Sequence, residues 1–288
     1  MKKNLIIITI FSAVFLFLYF LGGNTVHAPL EFQNGTQPLK IAPFENINLE
    51  AKSIYIYDVV KEKSIFELNP DAQLPLASLT KLMTAVVAKE NIPEWMLIDI
   101  DKESVLQEGD SSFMLGEKWK ITDLIDAMLI SSSNDAAAAI ALNSENFISL
   151  MNKKSADLNL AQTYFLNATG LDLTNYLSGG YGSAKNVAEL MDYLVKKYPS
   201  LLEVTQYDSL KINSRNFKNT NKLIEHLPGI IGSKTGFSDL AGGNLVVVFD
   251  IGLEHPVIIV VMGSSEEGRF EDVEKLYNET IKYLNMLE

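Results

Sequence analysis

Cysteine is absent from the 288 residues, which removes disulfides, thiolate nucleophiles and Cys-type zinc sites at once. Histidine is nearly absent. His27, His226 and His255 stand far apart and form neither H-E-x-x-H nor H-x-x-H, so a zinc hydrolase has no ligand set and no metal is expected. A Ser-His-Asp hydrolase built on a G-x-S-x-G elbow has no such elbow to use. Positive charge is scarce as well, with 24 Lys and Arg against 36 Asp and Glu and a net charge of −12. With no basic stripe to neutralise phosphates, nucleic acid is excluded as a partner. An anionic membrane surface would repel the body of the protein. Internal repeats and low-complexity segments are also missing.

What is present is apolar content of 47%, ample for one large core or two modest ones. Lys2 and Lys3 precede an apolar run over residues 5–21, followed by Gly22 and Gly23. The run exceeds a usual signal-peptide core and is about long enough to span a bilayer. Val26-His27-Ala28 has the small-x-small form of a cleavage site, but Pro29 would follow the cut. An uncleaved anchor is therefore favoured over a cleaved signal. The charges ahead of the span place everything after it outside the cytoplasm. Residues 1–23 thus read as signal-anchor or signal peptide, 24–50 as a tether with Pro29, Pro38 and Pro43, and 51–288 as the body.

Residues 53–60 and 64–68 read as two strands joined by a turn at 61–63. Helical spacing follows from residue 79, and a short strand fits 96–100. Residues 121–130 form a helix with Thr122 as the expected N-cap, and further helices fit 136–142, 147–158 and 187–197. Strand character returns at 210–212, at 229–234 with a turn at Gly236, and at 244–251 and 257–262. Residues 271–288 close the chain as an amphipathic helix with Val273, Leu276, Tyr277, Ile281 and Leu284 on one face. The order implies an α+β fold, with one antiparallel sheet fed by both chain ends, flanking helices and an inserted helical lobe.

Pro75 stops what precedes it, and the stretch after it carries the chemistry. Leu79, Leu82, Met83 and Val86 fall at helical spacing, while Ala85, Val87 and Ala88 make the helix apolar nearly all round, hence buried. Ser78 sits at its N-terminus, where the helix end stabilises a developing alkoxide. Lys81 lies one turn on, on the same face. An amine desolvated there loses proton affinity, which makes the pair a nucleophile and its base. S-x-x-K alone is common, and a serine before a helix usually serves as a cap. Ser132-Ser133-Asn134 follows an apolar helix and fits S-x-N, a pattern that Ser144-Glu145-Asn146 and Ser214-Arg215-Asn216 also fit. Lys234-Thr235-Gly236 is the one K-T-G in the chain. There Lys234 and Thr235 offer a cation and a hydroxyl to a carboxylate, and Gly236 permits close backbone approach.

The three motifs in this order are the signature of penicillin-binding proteins and class A β-lactamases. From Ala51 to Glu288 the chain resembles the serine-type D-Ala-D-Ala carboxypeptidases, the low-molecular-mass penicillin-binding proteins of peptidase family S11. The likeness extends to the flanks, including Asn167-Ala168-Thr169-Gly170-Leu171-Asp172, Phe237-Ser238-Asp239-Leu240-Ala241-Gly242 and Val261-Met262-Gly263. It implies a β-lactamase/transpeptidase-like fold with no cofactor. The implied activity is acyl transfer on a peptidoglycan stem peptide ending in D-Ala-D-Ala, with β-lactams as covalent inhibitors.

The resemblance also assigns roles. Ser78 attacks, Lys81 is the base, Ser132 relays a proton and Asn134 holds the substrate amide. Lys234, Thr235 and Arg269 bind the terminal carboxylate, and the backbone N–H groups of Ser78 and Phe237 form the oxyanion hole. Two departures stand out. Many relatives carry a further all-β domain and a C-terminal anchor, whereas this chain stops where the catalytic domain does, and its N-terminal span would replace that anchor. Relatives also often have His after K-T-G, where this chain has Phe237. No E-x-x-L-N stretch follows Asn134 to activate a deacylating water, so a penicillin target is expected rather than a β-lactamase. A β-lactamase-like activity, D,D-endopeptidase activity or an inactive wall-binding homologue are the alternatives.

Overall fold

The strands near the C-terminus do not alternate apolar with polar residues, because neither of their faces meets water. Runs such as Val246-Val247-Val248 and Ile258-Ile259-Val260-Val261 are apolar at every position, the composition of strands covered on both sides. The structure, a computed structural model that describes residues 43–109, 113–252 and 254–287, shows what covers them. Five strands form the main sheet, β1 (Ser53–Asp58), β2 (Lys63–Leu68), β3 (Ile230–Ser238), β4 (Gly242–Asp250) and β5 (Pro256–Ser264). They are antiparallel in the order β3-β4-β5-β1-β2. The seam is β1 on β5, from Ser53 opposite Met262 to Asp58 opposite Val257. Both ends of the described chain therefore feed one sheet, as the order of elements implied.

On one face Tyr55, Val246, Val248, Ile258, Val260 and Met262 join a core with the helical lobe. The lobe comprises α1 (Thr80–Asn91), α2 (Ile121–Ser131), α3 (Asn134–Leu142), α4 (Phe147–Asp157), α5 (Ala184–Lys197) and the short α6 (Pro199–Glu203). On the other face Ile54, Ile56, Leu245, Val247, Phe249, Ile259 and Val261 pack with Phe270, Val273, Leu276 and Leu284 of α7 (Gly268–Asn285). Each such aliphatic side chain contributes about 1.5–3 kcal/mol on burial, so a sheet covered twice makes a rigid platform for whatever lies on its edge.

Several local expectations shift. Strand β3 runs through Gly236 to Ser238, where a turn was expected, because β4 offers partners for its whole length. Gly236 faces Asn244 and Phe237 faces Gly243, so K-T-G lies within the strand. Thr122 does not cap α2, whose N-cap is Lys120 without a side-chain bond. The capping hydroxyls are those of Ser133 for α3 and Ser183 for α5, each accepting at 3.2 Å from the backbone N–H three residues on. The strand expected at 210–212 is Ser209–Ile212, and it pairs with Arg215–Lys218 in a hairpin outside the main sheet.

Contacts with the body begin ahead of Ala51. Phe44 stacks on Phe66 with ring centroids 4.8 Å apart. The buried carboxylate of Asp272 in α7 accepts from the N–H groups of Glu50 (3.1 Å) and Ala51 (2.9 Å) and from Ser264 Oγ (2.8 Å). The apolar span at 1–23 and the tether as far as residue 42 lie outside the described residues. Among the described residues no helix is long and apolar enough to cross a membrane.

Candidate active site

Ser78 lies in a 3-10 turn, Ala77–Leu79, that runs directly into α1. Neither that turn nor the helix is capped by a side chain, so the Ser78 hydroxyl is not consumed as an N-cap. The turn is tight. Ala77 has φ +47°, a conformation that non-glycine residues rarely adopt and that costs on the order of 1–3 kcal/mol. Gly170 makes room for it, since a Cβ there would lie 1.9 Å from the Ala77 carbonyl oxygen. Gly236 crowds the same turn, for its Cβ would meet Leu76 O at 2.9 Å and Ser78 N at 3.2 Å. The close approach that this glycine permits is thus that of the protein's own nucleophile turn, rather than of a ligand backbone. It also sets β3, with Phe237 next in line, alongside the N–H of Ser78.

Lys81 is fully buried at 0% exposure. Its Nζ donates to Asn134 Oδ1 and to the Thr169 carbonyl, both at 2.7 Å, and lies 2.8 Å from Ser78 Oγ. Desolvation in this site brings its pKa from 10.5 to about 7, because burial disfavours the ammonium. Nucleophile and base are therefore in contact, and the base is neutral at physiological pH in a large fraction of molecules.

Ser132 follows α2 in the left-handed conformation, φ +60° and ψ 28°. That sharp turn between α2 and α3 aims Ser132 at Lys234, whose Nζ donates to its Oγ at 2.8 Å and to the Thr235 carbonyl at 2.9 Å. Asn134, two residues on, opens α3 and reaches Lys81. One S-x-N thus touches both lysines, and the other two fits to the pattern make no contact of this kind. Asn134 is engaged at both ends, for its Nδ2 also donates to Glu108 O at 2.6 Å. Lys234 is buried too, and its proton affinity is lowered well below the ordinary value by desolvation first and then by the Lys81 and Arg269 cations. Thr235 Oγ1 shares a 2.6 Å hydrogen bond with Thr220 Oγ1.

Arg269 lies in the first turn of α7 and is 7% exposed. Its NH1 donates to Gly236 O at 2.6 Å, and its guanidinium carbon stands 4.7 Å from the Phe270 ring centroid and 5.9 Å from that of Phe237. It therefore joins K-T-G through the backbone of Gly236 under two aromatic rings. Phe237 itself is an exposed phenyl at 44%. Beside it opens a cleft of about 470 Å³, lined by Glu108, Leu171, Asp172, Leu173, Phe237 and Leu240 among others.

All nine residues singled out from the sequence converge here. The partners that sequence reasoning missed are the Thr169 carbonyl, Thr220, Glu108 and Asn244. Thr169 lies in the 167–172 stretch that carries the resemblance, though its carbonyl was not singled out, whereas the Thr220 hydroxyl and the Glu108 carbonyl come from distant loops and leave no pattern. Asn244, whose Nδ2 donates to the carbonyls of Pro75 and Leu76 ahead of Ser78, did leave a sign, as a polar residue directly before the apolar run 245–249.

A family model described as peptidase S11, D-alanyl-D-alanine carboxypeptidase, matches residues 39–266. The chain is 30% identical over 241 residues to the D-alanyl-D-alanine carboxypeptidase DacF of Bacillus subtilis, a match that covers 79% of this chain and 61% of that protein. Thus it spans about three-fifths of the length of that relative. It is 31% identical over 239 residues to a D-alanyl-D-alanine endopeptidase of Escherichia coli, covering 78% of this chain and 75% of that one. Among solved structures, penicillin-binding protein D2 of Listeria monocytogenes in its ampicillin-bound form is similar with a TM-score of 0.74 and 29% identity, over 82% of this chain and 99% of that chain.

Proposed function

The chain belongs to the peptidase S11 family of D-alanyl-D-alanine carboxypeptidases, and from that premise we propose that it removes the terminal D-Ala of peptidoglycan stem pentapeptides through an acyl-enzyme on Ser78. The observation that carries the reading is the 2.8 Å contact between Ser78 Oγ and a fully buried Lys81 whose pKa is brought to about 7. Ser78 Oγ attacks the carbonyl between the two D-alanines while Lys81 Nζ takes its proton. The tetrahedral oxyanion is met by the N–H groups of Ser78 and Phe237, each donor being worth about 3 kcal/mol. The C–N bond then breaks, and the departing D-Ala amine receives a proton through Ser132, which Lys234 holds in place. Water hydrolyses the ester and restores Ser78.

The terminal carboxylate binds at Lys234 and Thr235. It supplies the negative charge that the buried Lys234 lacks, and so restores the proton affinity that desolvation and its cationic neighbours remove. Arg269 adds its charge from beneath Phe237 and fixes the Gly236 carbonyl. Asn134 orients Lys81 through Oδ1 and would exchange the Glu108 carbonyl for the substrate amide on binding. β-Lactams, carrying the same carboxylate and a reactive amide, would acylate Ser78 and remain. The proposed place of work is outside the cytoplasm, with residues 5–21 as a membrane anchor.

Full-length protein incubated with a pentapeptide-bearing muropeptide should release D-Ala, followed by mass spectrometry, and Ser78→Ala should release none. Intact substrate with folded wild-type protein would overturn the reading. A second reading, cleavage of D-Ala-containing cross-links by the same chemistry, is favoured by the resemblance to proteins named D-alanyl-D-alanine endopeptidases. Cross-linked dimeric muropeptides in the same assay separate the two.

A further inference from the structure

Asn244 is a polar side chain with no exposure in the run Asn244-Leu245-Val246-Val247-Val248 of β4. A buried amide left unpaired costs about 1–3 kcal/mol, and here its groups are spent on particular partners. Nδ2 donates to the carbonyls of Pro75 (2.9 Å) and Leu76 (3.1 Å), the two residues that lead into the Ser78 turn. Oδ1 accepts at 2.8 Å from the N–H of Gly263.

The Gly263 bond follows from an irregularity in the sheet. Gly243 faces Ser264 but Leu245 faces Val261, so β5 carries one extra residue opposite Asn244, and Gly263 takes φ +70°. This is a β-bulge, which displaces an N–H from the ladder and re-aims the neighbouring side chain. Asn244 accepts the displaced N–H. Across the sheet it is paired with Gly236, and directly opposed residues project from the same face. The Leu76 carbonyl therefore lies against a position that has no side chain, 2.9 Å from where a Cβ would stand, and receives a hydrogen bond from the residue beside it.

We infer that Asn244 is a positioning residue for the nucleophile. With the gap at Gly236 it forms a cross-strand cradle that clamps residues 75–76 to β4 and β5, and so holds Ser78 Oγ at its distance from Lys81 Nζ. The clamp opposes the strain in the turn, where Ala77 is held at φ +47°. It also links the first and last motifs directly, because the strand that pairs with K-T-G carries the donor that fixes the serine's backbone. The inference rests on the proposed acyl transfer at Ser78.

The test is the second-order rate of Ser78 acylation by a fluorescent penicillin, measured with thermal unfolding of the same samples. Asn244→Leu keeps the branched heavy-atom skeleton, with somewhat bulkier ends, and removes both donors and the acceptor. It should lower the rate about 100-fold, the loss expected of a displacement near 1 Å. Asn244→Asp keeps the shape but, when ionised, donates nothing. Burial raises the pKa of such a carboxyl, so its rate relative to wild type should climb as pH falls from about 8 to about 5, when a protonated oxygen regains one donor. A merely structural role would lower the unfolding midpoint and leave that ratio flat. Folded Asn244→Leu within about threefold of wild type overturns the inference. If that variant does not fold, a flat Asn244→Asp ratio overturns it. Wild-type protein that takes no label would instead overturn acyl transfer itself.

Discussion

Lys234 Nζ lies 2.8 Å from Ser132 Oγ, just as Lys81 Nζ lies 2.8 Å from Ser78 Oγ. Two buried amines therefore each hold a hydroxyl, and Asn134 joins the motif of one pair to the lysine of the other. Desolvation lowers the proton affinity of both amines, and the Lys81 and Arg269 charges lower that of Lys234 further, which suits a site whose base must be neutral and whose anchor gains its counter-charge from the substrate.

Ser132→Ala should lower kcat about 100-fold, within the usual range for loss of a positioned proton carrier, with a much smaller change in KM. Steady-state kinetics on a D-Ala-D-Ala peptide check this. A change confined to KM would place Ser132 in binding rather than in proton transfer.

The acylation rate should depend on pH through Lys81. Its pKa is lowered to about 7 by desolvation, so the neutral amine that takes the Ser78 proton predominates above that pH and is lost as pH falls below it. The rate should rise through pH 7 and level off above. Lys81→Arg, which cannot deprotonate in this range, should lose about 1,000-fold or more. A rate that is flat from about pH 5 to 9 would remove Lys81 as base.

Much of this site is legible in the chain because its chemistry is carried by near neighbours in sequence. The three-residue spacing of Ser78 and Lys81 puts both on one helical turn, and an apolar helix around Lys81 already implies its desolvation. The five-stranded sheet is likewise announced by apolar runs too continuous for a one-sided strand. What is not legible depends on packing between distant segments. The Thr169 carbonyl is a backbone acceptor that any residue type could supply. Arg269 enters the site through the resemblance alone, and its burial in the first turn of α7 has no local signal. The extension of β3 through K-T-G depends on the length of its partner β4, and the clamp of Asp272 on Glu50 and Ala51 joins residues more than 200 positions apart.

Gly170→Ala should destabilise the fold by at least about 2 kcal/mol, combining φ +81° with a Cβ 1.9 Å from Ala77 O. Urea unfolding measures it. Because that contact is the Ser78 turn itself, acylation should fall along with the midpoint. A variant as stable and as active as wild type would contradict the packing described.

Arg269→Ala removes the donor to the Gly236 carbonyl and a buried positive charge near Lys234. KM for a peptide with a free terminal carboxylate should rise about tenfold, in keeping with loss of a charge-assisted interaction, and less for the C-terminally amidated peptide. Equal effects on both would assign Arg269 a purely structural part.

Ser78 is expected to be the residue that a β-lactam acylates. Full-length protein treated with benzylpenicillin, digested and analysed by mass spectrometry, should carry one penicilloyl group on the peptide that contains Ser78, persisting long after free drug is removed. An adduct on another residue, or folded protein that stays unmodified, would contradict it.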